Sequence, residues 1–149
     1  MRLLFVISLS LTVFAQQASA DALHLNPHQS ADSPSMKTFG KTSIPIGYFE
    51  YCNRYSVQCR QKSKPAVVKL TRTRWKEIIT VNSSVNNQIR PATDREIFGV
   101  EERWELPKYV GDCEDYVLLK RQRLAERGYP LSTLLITVAR DSNGGGHAV

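Results

Sequence analysis

The 149-residue sequence offers little that would commit it to a membrane, a nucleic acid or a metal-rich core. Past the first fifteen residues no apolar run approaches the roughly 20 residues that a bilayer span requires. A dense basic stripe with interleaved aromatics, the footprint of a nucleic-acid surface, is missing. The net charge of +6 is instead spread along the chain. Its small clusters, Arg60-Gln61-Lys62-Ser63-Lys64 and Lys120-Arg121-Gln122-Arg123, read as solvated surface. Histidine is scarce. His24 and His28 are separated by Asn26-Pro27, which argues against a helix presenting both to a metal. His147 is then the only histidine in the rest of the chain. Cysteine is equally scarce, at Cys52, Cys59 and Cys113.

What is present fits one globular domain with a modest core, with 42% hydrophobic and 23% charged residues. Residues 1–20 have the layout of a secretory signal peptide. Met1-Arg2 is a positive start, Leu3 to Ala15 is apolar apart from Ser8, Ser10 and Thr12, and Ala18-Ser19-Ala20 supplies small residues for cleavage. Cleavage would leave 149 − 20 = 129 residues and remove only Arg2 among the charges, taking +6 to +5. The expected location is therefore periplasmic or secreted, without a membrane span after cleavage. Residues 21–43, rich in Ser, His, Gln, Asn and Pro, read as a mobile leader, and residues 44–149 as the folded domain. An oxidising compartment permits a Cys52–Cys59 disulfide. The alternative is that all three cysteines are reduced and buried. An odd cysteine in an exported chain, here Cys113, is a candidate reactive thiol.

The expected elements begin with an irregular stretch over 44–58, holding at most one short strand, in which Tyr48, Phe49 and Tyr51 pack on the core. Val67-Val68-Lys69-Leu70 reads as a short strand. Thr71 or Thr73 caps a helix carried by Trp75, Ile78, Ile79, Asn82, Val85 and Ile89, which ends before Pro91. Residues 91–110 lack periodicity and read as a long connection, in which Trp104 either walls a site or packs in the core. A second helix starts at or near Cys113, with Asp112 as cap and Asp115 completing a capping-box-like pair. Gly128 stops it, with Pro130 beyond. Leu134 to Ala139 reads as a buried strand, Arg140 to Gly146 as a glycine-rich turn, and His147-Ala148-Val149 as the start of the next strand. A chain ending there stops in mid-hairpin and reads as a fragmentary domain.

A thiol is nucleophilic only as thiolate, and a helix N-terminus favours that charge. The acidic neighbours Asp112, Glu114 and Asp115 oppose it. A histidine on a facing strand can take the thiol proton, and His147 is the candidate. The residues Gly111-Asp112-Cys113-Glu114-Asp115-Tyr116-Val117-Leu118-Leu119-Lys120, with Leu135 to Asp141 and Gly145-Gly146-His147-Ala148-Val149, resemble the bacterial transglutaminase-like cysteine peptidases, which include the periplasmic LapG-type proteases. Trp75, Val81-Asn82, Val85-Asn86, Thr93-Asp94, Trp104 and Pro107 extend the likeness upstream.

That resemblance implies an α+β, papain-like or transglutaminase-like fold with the C-terminal part of its sheet missing here. It implies Cys113 as nucleophile, His147 as base, and a triad aspartate on a strand after the histidine, where this sequence has none. Asp141 precedes His147 and reads as belonging to the wrong block to substitute. The chemistry needs no cofactor. The family's LapG-type members bind calcium beside the nucleophile, and Asp112 and Glu114 match those ligands; the competing reading is a helix cap and an exposed acid. The implied activity is an exported endopeptidase acting on a surface or other exported protein, an adhesin among the candidates. The rivals are acyl transfer to an amine, as in a transglutaminase, and a catalytically inactive binding module.

Overall fold

A computed structural model describes residues 43–60 and 66–149. The expected signal peptide, His24, His28, nearly all of the expected leader and the basic residues Lys62 and Lys64 lie outside the described residues. Five helices and two two-stranded sheets follow in order: α1 (Ile46–Arg54), α2 (Ser56–Cys59), α3 (Arg72–Gln88), β1 (Arg90–Pro91), α4 (Asp94–Phe98), β2 (Val110–Gly111), α5 (Cys113–Glu126), a 3-10 turn (Leu131–Thr133), β3 (Val138–Arg140) and β4 (Gly146–Ala148). This is a mixed α+β arrangement.

The helix α5 is the hub. One side meets α3, where buried Val81, Val85 and Ile89 pack on Tyr116, Leu119 and Leu124. The spacing of those α3 residues is the helical period, so a single stripe is removed from water. Val81 takes the buried place in that stripe, while Asn82 and Ile79 face outward. The other side of α5 presents Leu118 to Tyr51, Trp104 and Ala148, with Tyr48, Val117 and Ile136 around them. Thr71 caps α3 by accepting the Arg74 N–H at 3.2 Å, and the helix ends at Gln88, before Pro91, as its sequence predicts.

Several expectations are corrected. The stretch read as irregular, 44–58, is the helix pair α1 and α2. Tyr48, Tyr51 and Tyr55 recur at helical spacing, and their rings follow one another along one face, the first two stacked and the third tilted. Tyr51 is buried, but Phe49 is 54% exposed because it lies on the opposite face. Val67 to Leu70 is not a strand: among the described residues no partner strand reaches it, and Val67 is almost wholly exposed. The supposed long connection contains α4 and is bounded at its two ends by the strands of a parallel pair. A Thr93–Glu96 capping box starts α4 and Gly99, at φ 72°, ends it. The strand expected over 134–139 is shorter and later, Val138–Arg140, since its ladder partner covers only Gly146–Ala148. Arg121, read as solvated surface, is buried and donates to the carbonyls of Gln58 (2.8 Å) and Leu134 (3.0 Å). It thereby ties α5 to the segments on either side.

A disulfide joins Cys52 to Cys59, with Cα atoms 5.6 Å apart, and clamps α1 to α2 beside the Tyr51 cluster. Among the described residues no helix is long and apolar enough to cross a membrane.

Candidate active site

Two short pairings assemble the site. The parallel pair β1–β2 aligns Arg90 with Val110 and Pro91 with Gly111. Chain direction then carries both strands into helix starts, α4 at Asp94 and α5 at Cys113. Asp94 and Asp112, 18 positions apart, therefore meet: the Asp94 backbone N–H donates to Asp112 Oδ2 at 3.2 Å. Asp112 occupies the N-cap position of α5, but its carboxylate makes no capping bond to that helix. Asp115 is no capping-box partner either; it is buried and accepts the Glu105 N–H at 2.8 Å. Each carboxylate is thus used by another segment, which corrects the local capping expected for both.

The antiparallel pair β3–β4 supplies the other wall. Ala139 opposes His147 and Arg140 opposes Gly146. Side chains alternate along β4. Ala148 is buried against α5, and its backbone N–H donates to Cys113 Sγ at 3.4 Å. Cys113, first residue of α5, is half-buried and is a free thiol. Cys113 and His147 line one cleft together with Glu102, Trp104, Glu114 and Ala148. Trp104 fills both roles weighed for it: its ring is buried in the core, and its edge lines the cleft. The ring is held by its Nε1–H to Glu102 at 2.5 Å and by edge-on contact with Tyr48.

The Cys113 thiol donates to Glu114 Oε2 at 3.1 Å. Its pKa is pushed up to about 11, first by burial. The Ala148 N–H pulls it down, while the hydrogen bond and charge of Glu114 and the charge of Asp112 push it up. In this arrangement the sulfur rests as a thiol at neutral pH. The His147 ring is half-exposed and faces Asp141, with Nε2 3.2 Å from Oδ2. The turn thus brings in a residue that chain order set aside.

Asp94, Asp112 and Glu114 each direct a carboxylate oxygen into one spot, all within 4.8 Å of one another. Burial raises the Asp94 pKa, and burial followed by Glu114 raises that of Asp112 to about 6. Oδ1 of Asp94 and Oδ1 of Asp112 are both buried without a hydrogen-bond partner. Buried orphaned carboxylate oxygens are costly unless a donor or cation meets them. Asp94 was overlooked as a site residue. Its visible signals were the Thr93-Asp94 match and the T-x-x-E capping box at Thr93–Glu96, which mark a helix start but not its neighbour.

A sequence model of the family described as bacterial transglutaminase-like cysteine proteinase matches residues 38–149. No curated protein and no solved structure matches the chain.

Proposed function

The chain belongs to the bacterial transglutaminase-like cysteine proteinase family, and from that premise we propose that Cys113 is the nucleophile and His147 the base of an exported endopeptidase. The observation that carries the reading is the shared cleft of Cys113 and His147, closed by the Ala148 N–H on the sulfur. His147 takes the thiol proton as Sγ attacks the peptide carbonyl, and gives it to the departing amine. Water then releases the acyl group from sulfur. The fold that this chemistry implies is papain-like, a helix-start cysteine facing a strand-borne histidine.

Export is supported by the signal-like residues 1–20 and by the Cys52–Cys59 disulfide, which persists in an oxidising compartment. The substrate class is a protein at the cell surface or in the periplasm, an adhesin included. Asp94, Asp112 and Glu114 suit calcium, a hard cation that takes oxygen ligands. When bound, it supplies positive charge that neutralises the carboxylates beside the thiol.

The test compares cells carrying the full chain with cells carrying Cys113→Ala, by labelling new N-termini in the exported proteome. Cleavage products present with the parent and absent with the variant are expected. An identical set in both would sink the assignment. A labelled amine added to the parent reaction stays unincorporated if water is the acceptor.

A further inference from the structure

The glycine-rich turn between β3 and β4 does more than reverse the chain. Asp141 sits at its start and is anchored there: Oδ1 accepts the backbone N–H groups of Asn143 (2.9 Å) and Gly145 (2.8 Å). With Oδ1 spoken for, Oδ2 alone faces the His147 ring, 3.2 Å from Nε2. Gly145 keeps this geometry open, since a Cβ there would lie 3.0 Å from Asp141 Oδ2. Gly144 turns the chain at φ 86°, a conformation that side chains disfavour.

We propose that Asp141 is the positioning residue for His147, fixing the imidazole with Nε2–H toward its carboxylate and the Nδ1 lone pair free to take the Cys113 proton. This rests on the Cys113–His147 reading above. An ionised carboxylate only accepts hydrogen bonds, so the nitrogen facing it carries the hydrogen. Once His147 gains the thiol proton, the same carboxylate faces an imidazolium and stabilises it. Among the described residues the other groups around the ring do not compete for Nε2. Glu114 accepts from the Cys113 thiol, Glu102 accepts from the Trp104 indole, and the Arg140 guanidinium turns to the Gly144 carbonyl at 3.1 Å. The pairing also holds the Asp141 carboxyl below the usual carboxylate range, with the His147 hydrogen bond as the first cause.

The turn makes a sharp test possible. In Asp141→Asn the two backbone N–H groups keep the amide oxygen at the Oδ1 position. The amide NH2 must then face the ring, and it donates to Nε2. The ring is forced into the Nδ1–H form, which cannot accept the thiol proton. The experiment uses the full chain labelled with 15N-histidine, the His147 signals being those missing from His147→Gln. The expected result is the Nε2–H tautomer in the parent and Nδ1–H in Asp141→Asn. Alkylation of Cys113 by iodoacetamide at neutral pH falls at least about tenfold in Asp141→Asn, and less in Asp141→Ala. Matching circular dichroism and melting curves exclude unfolding. A parent ring already in the Nδ1–H form overturns the proposal without any variant. If His147→Gln slows alkylation while Asp141→Asn changes neither tautomer nor rate, Asp141 is not the positioning residue and the catalytic pair stands. If His147→Gln leaves alkylation unchanged, the catalytic pair fails, and a tautomer swap in Asp141→Asn still upholds the grip of Asp141 on the ring.

Discussion

The backbone N–H of Ala148 donates to the sulfur of Cys113 across 35 positions of sequence, at 3.4 Å. That contact lowers the thiol pKa, against burial and the carboxylates of Glu114 and Asp112 that raise it to about 11. The same sulfur therefore sits between an activating hairpin and a restraining helix start.

Glu114 is the restraint that a substitution can remove. Glu114→Gln deletes the charge and replaces the carboxylate acceptor that stabilises the thiol form with a weaker amide oxygen. With divalent cations chelated, the midpoint of the Cys113 alkylation profile against pH should move down by about one unit. Burial remains as the larger cause, so the thiol should stay above its ordinary range. An unmoved midpoint would show that the Glu114 contact does not govern the sulfur.

Calcium should raise the melting temperature, and a strong chelator should reverse the gain. A cation engages carboxylates only when they are ionised, and Asp112 ionises at about 6. The gain should accordingly be larger at pH 7.5 than at pH 5. Asp94→Asn should weaken calcium binding at least about tenfold, measured by titration calorimetry. Equal affinity in parent and variant would remove Asp94 from the site.

Asp115 makes stability depend on pH. Its buried carboxyl has a pKa raised from 3.8 to about 7, burial being the first cause. A raised folded-state pKa means that the folded chain binds the proton more tightly than the unfolded chain. Its contribution is full below pH 3.8 and is lost as pH rises through 7. In Asp115→Asn the fall in stability between pH 4 and 7 should shrink by on the order of 1–3 kcal/mol in urea melts without calcium. A slope equal to that of the parent would show that Asp115 titrates normally.

Gly47 should tolerate no side chain. A Cβ there would lie 2.3 Å from Trp104 Cδ1 and 2.7 Å from its Nε1. Because Trp104 is buried and walls the cleft, either α1 or the indole must move. Gly47→Ala should destabilise by about 1–3 kcal/mol in urea unfolding, as overpacked cores do. The tryptophan fluorescence should shift as well.

Local chemistry carries the parts that could be read from residue order. Thr71 caps α3, Val85 and Ile89 of the expected stripe are buried, Cys113 begins a helix, and His147 falls on a strand. All of these depend on neighbours within a few positions. The α1 helix was missed because Pro45, Gly47 and three tyrosines resemble a loop until Tyr51 finds its pocket against Trp104 and Leu118.

The sequence by itself offered Cys113 and His147 as a candidate pair and carried the family match, because the residue blocks around them are the ones that resemble the family. Only the tertiary structure decided what surrounds them. Asp94 reaches Asp112 through a parallel pair two residues long, too short to leave a periodic trace. Arg121 interrupts an apolar stripe yet is buried, since two distant carbonyls satisfy its guanidinium. Asp141 meets His147 because a glycine-rich turn folds the chain back on itself, bringing together two residues that chain order alone kept apart.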